Sequence, residues 1–146
     1  MRTVILIFLF TFSCFKTIAQ ELVIKYDVDT VIFNKKVGDS YLSDSTSAKI
    51  VCIKFPVSYD KSLEGFRHES NKNIVLIDKG EFKNGKKRIS YKKGKLLEGK
   101  DEFMVKVYLI ELNDISSLII SGIYPSKYEE LLGDKIEIAA KSVKIE

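Results

Sequence analysis

The sequence predicts an α+β domain, an antiparallel β-sheet with a short helix and a C-terminal helix packed on it as an α/β sandwich. Three observations carry this. Apolar runs with strand-like alternation recur along the chain, most clearly from Glu102 to Leu112. Asn84-Gly85 stands between two such runs, a short-range hairpin signal because both residues tolerate positive φ. Near the end, Tyr128, Leu131, Leu132, Ile136, Ala139, Ala140 and Val143 recur close to helical spacing.

The elements follow in order. From Leu22 to Phe33, Leu22, Ile24, Tyr26 and Val28 alternate with Val23, Lys25, Asp27 and Asp29, which predicts a half-buried strand. Asn34 to Ser47 is rich in Lys, Gly, Asp, Ser and Thr and reads as a loop. Ala48 to Phe55 is the next strand, closed by Pro56. Ser58 to His68 reads as a short helix, capped by Ser58 or Asp60, with Leu63 and Phe66 facing inward. Asn73 to Asp78 gives a compact apolar strand. The hairpin then joins Glu81-Phe82-Lys83 to Lys86–Tyr91, and Gly94 and Gly99 mark the following turns. Glu102 to Leu112 carries apolar residues on both sides, as a central strand covered on two faces does. Asn113-Asp114 turns the chain into a strand from Ser117 to Tyr124. Pro125-Ser126 stops it, Ser126 and Glu129 form a capping box, and Gly133-Asp134 is a candidate kink in the last helix.

The first residues read differently. Arg2, the apolar stretch Val4 to Phe15, and the small-residue pattern Thr17-Ile18-Ala19 have the order of a cleavable secretory signal over residues 1–19. Residues 20–146 then form a single domain. The apolar stretch is about a dozen residues, against about twenty needed to span hydrocarbon, which argues against a retained anchor. An alternative is acylation of Cys14 as a lipoprotein, although Phe12 fits that pattern poorly. No other segment is long and apolar enough for a transmembrane span, so the mature chain is expected to be soluble or peripheral, and the export signal makes its expected location periplasmic or secreted.

The chain has 24 basic and 20 acidic residues. Cleavage removes Arg2 and Lys16, leaving a nearly balanced domain with no global steering toward nucleic acid. Cleavage also removes Cys14, so Cys52 has no intrachain partner. Its strand setting predicts a small buried hydrophobe, the alternatives being a reactive thiol or an intermolecular disulfide. His68 is the only histidine, which excludes motifs such as HExxH, and its polar surroundings predict an ordinary surface position. There is no CxxC, GxSxG, P-loop or GxGxxG. Asp27 and Asp29 share a strand face but lack the later ligands of an EF-hand loop, so no metal and no cofactor is expected.

The densest feature is basic. Lys86, Lys87, Arg88, Lys92, Lys93 and Lys95, flanked by Lys83 and Lys100, are opposed only by Glu98. Such a hairpin offers a candidate cationic face to an acidic surface or protein. The competing reading is that hairpin lysines keep strand edges soluble.

From Lys49 onward the order of pieces resembles the PsbP-like family of small exported or lumenal domains. The residues that carry this are Ile53-Lys54-Phe55-Pro56 before a short helix and Phe82-Lys83-Asn84-Gly85-Lys86 at a hairpin. Two strands follow, then Gly122-Ile123-Tyr124-Pro125 and a helix ending in Lys141-Ser142-Val143. The N-terminal part departs from the pattern, with no clear opening hairpin. The resemblance implies an antiparallel sheet with flanking helices and a binding or assembly role.

Smallness, export and the missing catalytic groups together point to a non-enzymatic module that binds another protein, of immunity or chaperone type. The alternative is a small ligand-binding protein or hydrolase with a pocket between sheet and helices. For the export signal, the expected intact mass of the secreted protein begins at Gln20 without lipid. A lipidated Cys14 would overturn that reading.

Overall fold

The stretch expected to be a central strand, Glu102 to Leu112, is the axis of the fold in the computed structural model, which describes residues 22–146. In chain order the elements are β1 (Ile24–Lys25), β2 (Lys35–Val37), β3 (Ser40–Leu42), β4 (Lys49–Phe55), α1 (Tyr59–His68), β5 (Ile74–Asn84) and β6 (Lys87–Glu98). They continue with β7 (Asp101–Asn113), β8 (Ser116–Pro125), a 3-10 turn (Ser126–Tyr128), α2 (Glu129–Lys141) and β9 (Lys144–Ile145). Seven strands form one antiparallel sheet in the order β2-β3-β4-β8-β7-β6-β5, and β1 pairs separately with β9. This is the α+β architecture expected.

The sheet divides the interior into two unequal cores. On one face α2 lays Leu132, Ile136 and Ala140 onto Ile50, Tyr108, Ile110, Leu118, Ile120 and Tyr124. Each large apolar side chain removed from water there contributes about 1.5–3 kcal/mol. On the other face α1 contributes only Tyr59, Leu63 and Phe66, packed on Leu109 and flanked by Val107 and Ile119. The backbone of β8 comes close to α2 at Gly122, where a Cβ would stand 2.6 Å from Ile136 Cγ1 and Cδ1.

Several expected elements differ. The alternation in Leu22 to Phe33 is real, since Ile24, Tyr26 and Val28 pack on the core, but only Ile24–Lys25 is paired as strand. The polar stretch Asn34 to Ser47 holds the β2–β3 hairpin, whose loop is Gly38-Asp39 with Gly38 at φ 59°. The opening hairpin absent from the sequence pattern is therefore present. Its Gly-Asp signal is legitimate for a two-residue loop with glycine first. The apolar run at Ile74 and the piece at Glu81 are one strand, β5, interrupted by a bulge between Leu76 and Asp78. The hairpin loop after it is Gly85-Lys86 rather than Asn84-Gly85, with only Gly85 at positive φ.

Gly94 is not at a turn. It lies inside β6, where a Cβ would meet Ile74 Cγ2 at 2.5 Å, so glycine permits the close approach of β5. Ser126 caps nothing with its side chain, and Glu129 turns its carboxylate toward the sheet instead of back to the Ser126 amide. The last helix runs unbroken through Gly133.

Two glycine substitutions separate these roles. Gly122→Ala is expected to cost about 1–3 kcal/mol through overpacking against Ile136. Gly65→Ala, in open space within α1, is expected to gain about 0.5–1 kcal/mol. Denaturant unfolding of both variants checks the pair of signs.

Candidate functional site

Strand alternation divides the basic hairpin between the two faces of the sheet. Arg88 and Lys92 point to the α1 side, and Lys87 and Lys93 to the α2 side. Arg88 holds Asp60 of α1 with Nη1 at 2.8 Å and Glu111 of β7 with Nη2 at 2.8 Å, and its guanidinium lies 4.5 Å from the Tyr59 ring centre. Hydrogen bonds to Glu111 and Asp60 push Arg88 above the ordinary arginine value. Lys95 pairs with Glu102, and Lys87 donates to the carbonyl of Val143. Burial, with Lys144 nearby, draws Lys87 below the ordinary lysine value. Lys86 sits exposed in the loop. The structure thus gives five of the six named cations internal partners and does not bring the six to one face.

On the α2 side the cations build a half-buried network. Lys93 Nζ donates to Glu129 Oε1 at 2.7 Å, and Tyr124 donates to Glu129 Oε2 at 2.6 Å. Lys106, only 8% exposed, donates to the Gly133 carbonyl at 2.7 Å and stands 3.5 Å from Glu129 Oε1. Burial opposes ionisation of Glu129, but the hydrogen bonds from Lys93 and Tyr124 hold its carboxyl below the ordinary value. This cluster ties α2 to β6, β7 and β8 and is structural.

The α1 side is open. Ten residues of helix cannot cover the broad face of a seven-stranded sheet, and beyond the C-terminal end of α1 a groove of about 470 Å³ remains. Its floor is Ile53, Val105, Val107, Ile119 and Ser121, and its sides include Phe66 and Leu76. Ile53 and Leu76 are each nearly half exposed. A volume in this range suits a small-molecule site, for which about 300–1,000 Å³ is usual. A second hollow of about 320 Å³ adjoins it along the other flank of α1, sharing Phe66 and Lys92 and adding Lys79, Gly80 and Ser90. Lys92 lies at the junction, its Nζ 2.8 Å from the Glu69 carbonyl and 4.9 Å from the Phe66 ring centre. Of the groove's lining, the sequence singles out Lys92 and Lys93 as binding candidates, while its apolar residues read as ordinary strand and helix positions. The available signal was the two-sided apolar pattern of β7 beside a single short helix.

The other candidates fall outside the groove. His68 is exposed at the end of α1. Asp29 accepts from Lys135 Nζ at 2.8 Å and from the backbone of Val31, and this Lys135 bond chiefly holds its carboxyl below the ordinary value. Among the described residues no three His, Cys, Asp or Glu side chains group as a metal site. Cys52 is half-buried against the main core, and burial pushes its thiol up to about 11. Cys14 and the rest of the expected signal lie outside the described residues. Among the described residues no helix is long and apolar enough to cross a membrane.

A seven-stranded antiparallel sheet between a short helix and a C-terminal helix is a PsbP-like fold, as the order of elements implied. The solution structure of cyanobacterial PsbP (CyanoP) from Synechocystis matches with a TM-score of 0.54 at 11% identity, over 87% of this chain and 83% of that one. LpqN of Mycobacterium tuberculosis, a protein involved in cell envelope biogenesis, matches with a TM-score of 0.60 at 11% identity, over 88% of this chain and 86% of that one. No protein-family model and no curated protein matches the sequence.

The Glu129 network has a pH signature. Its folded pKa is depressed, so its stabilisation is complete above the ordinary glutamate value of 4.5 and is lost as pH falls through the folded value. Glu129→Gln is expected to cost about 1 kcal/mol at neutral pH. It is also expected to flatten the loss of stability below about pH 4.5. Urea unfolding across the acid range checks both.

Proposed function

We propose that this protein is an exported, non-enzymatic binding module whose working surface is the sheet face left open beside α1. The observation that carries this is the apolar groove floored by Ile53, Val105, Val107 and Ile119. A concave, mostly apolar floor with a few polar groups at its rim is the usual form of a small-ligand site. The part that LpqN takes in cell envelope biogenesis agrees with an exported setting for this reading.

Within that reading, a protein partner held by the basic hairpin has less support than a ligand entering the groove. Most of the hairpin cations are engaged internally, whereas the groove is concave and of ligand size. An immunity-type or chaperone-type partner remains testable by what co-purifies in a stoichiometric complex.

The groove reading is tested with a neutral apolar dye. Nile red is expected to bind the exported protein saturably. Ser121→Phe, which fills the floor, is expected to weaken that binding by about tenfold or more with the unfolding midpoint unchanged. Equal binding by both proteins would sink the groove as the working surface.

A further inference from the structure

Four pairs of cations face each other directly across neighbouring strands. They are Lys25 and Lys144, Lys83 and Arg88, Lys93 and Lys106, and Lys79 and Lys92. Like charges in this position repel, because directly opposed side chains start about 4.5–5.5 Å apart. In three of the pairs the chain supplies a carboxylate. Glu146 pairs with Lys25, Asp60 and Glu111 hold Arg88, and Glu129 lies between Lys93 and Lys106. The fourth pair has none. Among the described residues Lys79 makes no ion pair, and Lys92 donates only to the Glu69 carbonyl while lying over Phe66. An ammonium has three donors, so Lys92 keeps two to spare.

The position of this pair matters. Lys92 lines both hollows beside α1 and Lys79 lines only the smaller one, so the uncompensated pair stands where the smaller hollow meets the apolar groove. Two acids are close. Glu81 is committed to Arg67 at 2.6 Å, and Glu69, which lines the groove, makes no ion pair with either lysine. Edge protection explains a lysine on β5, the outermost strand, but not Lys92 on β6, one strand further in.

We infer that Lys79 and Lys92 together bind the anionic head of a single-chain amphiphile whose apolar tail lies in the groove between Phe66 and Ile119. The ligand class is a long-chain carboxylate. The charge complementarity is local, since the domain as a whole is nearly balanced. The inference rests on the groove being the binding surface and adds the chemistry of what enters it.

Titration calorimetry with dodecanoate and with dodecanol, each below its aggregation concentration, tests the two claims apart. Dodecanoate is expected to bind the exported protein about tenfold tighter than dodecanol, and acetate is expected not to bind. Lys79→Glu gives Lys92 an internal partner and repels the head group. It is expected to erase the preference for dodecanoate and to leave dodecanol binding in place. Lys79→Gln is expected to fall between. Ser121→Phe is expected to abolish binding of both. Equal affinity for the acid and the alcohol in the unaltered protein would overturn the head-group assignment and leave the groove standing. Binding of neither would overturn both. Preference for an acidic peptide over dodecanoate would overturn the ligand class.

Discussion

The structure is governed by a mismatch of area. A seven-stranded sheet has two broad faces with apolar side chains, and each must be covered or left wet. The C-terminal helix covers one face through Leu132, Ile136 and Ala140, seated closely enough that β8 needs glycine at Gly122. The ten-residue helix α1 covers only part of the other, through Tyr59, Leu63 and Phe66. Everything distinctive about the molecule follows from this asymmetry. The α2 side is a closed core that supplies stability. The α1 side has a small core under the helix and an open apolar strip beyond its end.

The charges are distributed by the same geometry. A run of lysines in the sequence looks like one patch, but side chains on a strand alternate between faces. Lys93 and Lys106 go to the covered face, where burial demands compensation and Glu129 with Tyr124 provides it. Arg88 goes to the α1 face and is used to hold that helix through Asp60 and Tyr59. Part of the basic hairpin has thus become fastening for both helices.

Much of the fold was legible because its signals are local. β4, β7 and β8 announce themselves by alternation, and α2 by its helical period. The failures have physical causes. The strands β2 and β3 are short and polar at a sheet edge, so no apolar pattern marks them, and only Gly38-Asp39 did. Gly94 reads as a turn in the sequence, because the need for glycine there comes from β5 pressing on β6, a tertiary contact. The groove was least legible. Ile50 and Ile53 look alike in the sequence, yet one is fully buried under α2 and the other nearly half exposed beyond α1. The two side chains point to opposite faces of β4, and the exposure of Ile53 follows from where α1 stops, which residue pattern alone does not fix.

CyanoP and LpqN resemble this chain at 11% identity. At that identity the likeness is one of fold, and a fold does not carry the chemistry of a groove with it. The site must therefore be argued from this chain's own side chains, and one of them links it to the fold. Lys92 donates to the carbonyl of Glu69, the residue that ends α1, and its ammonium lies over Phe66 of the same helix. A cation there satisfies the negative end of the helix. The residue that faces the groove is also the residue that seats the end of α1, so the open face and the short helix beside it are held by one shared charge.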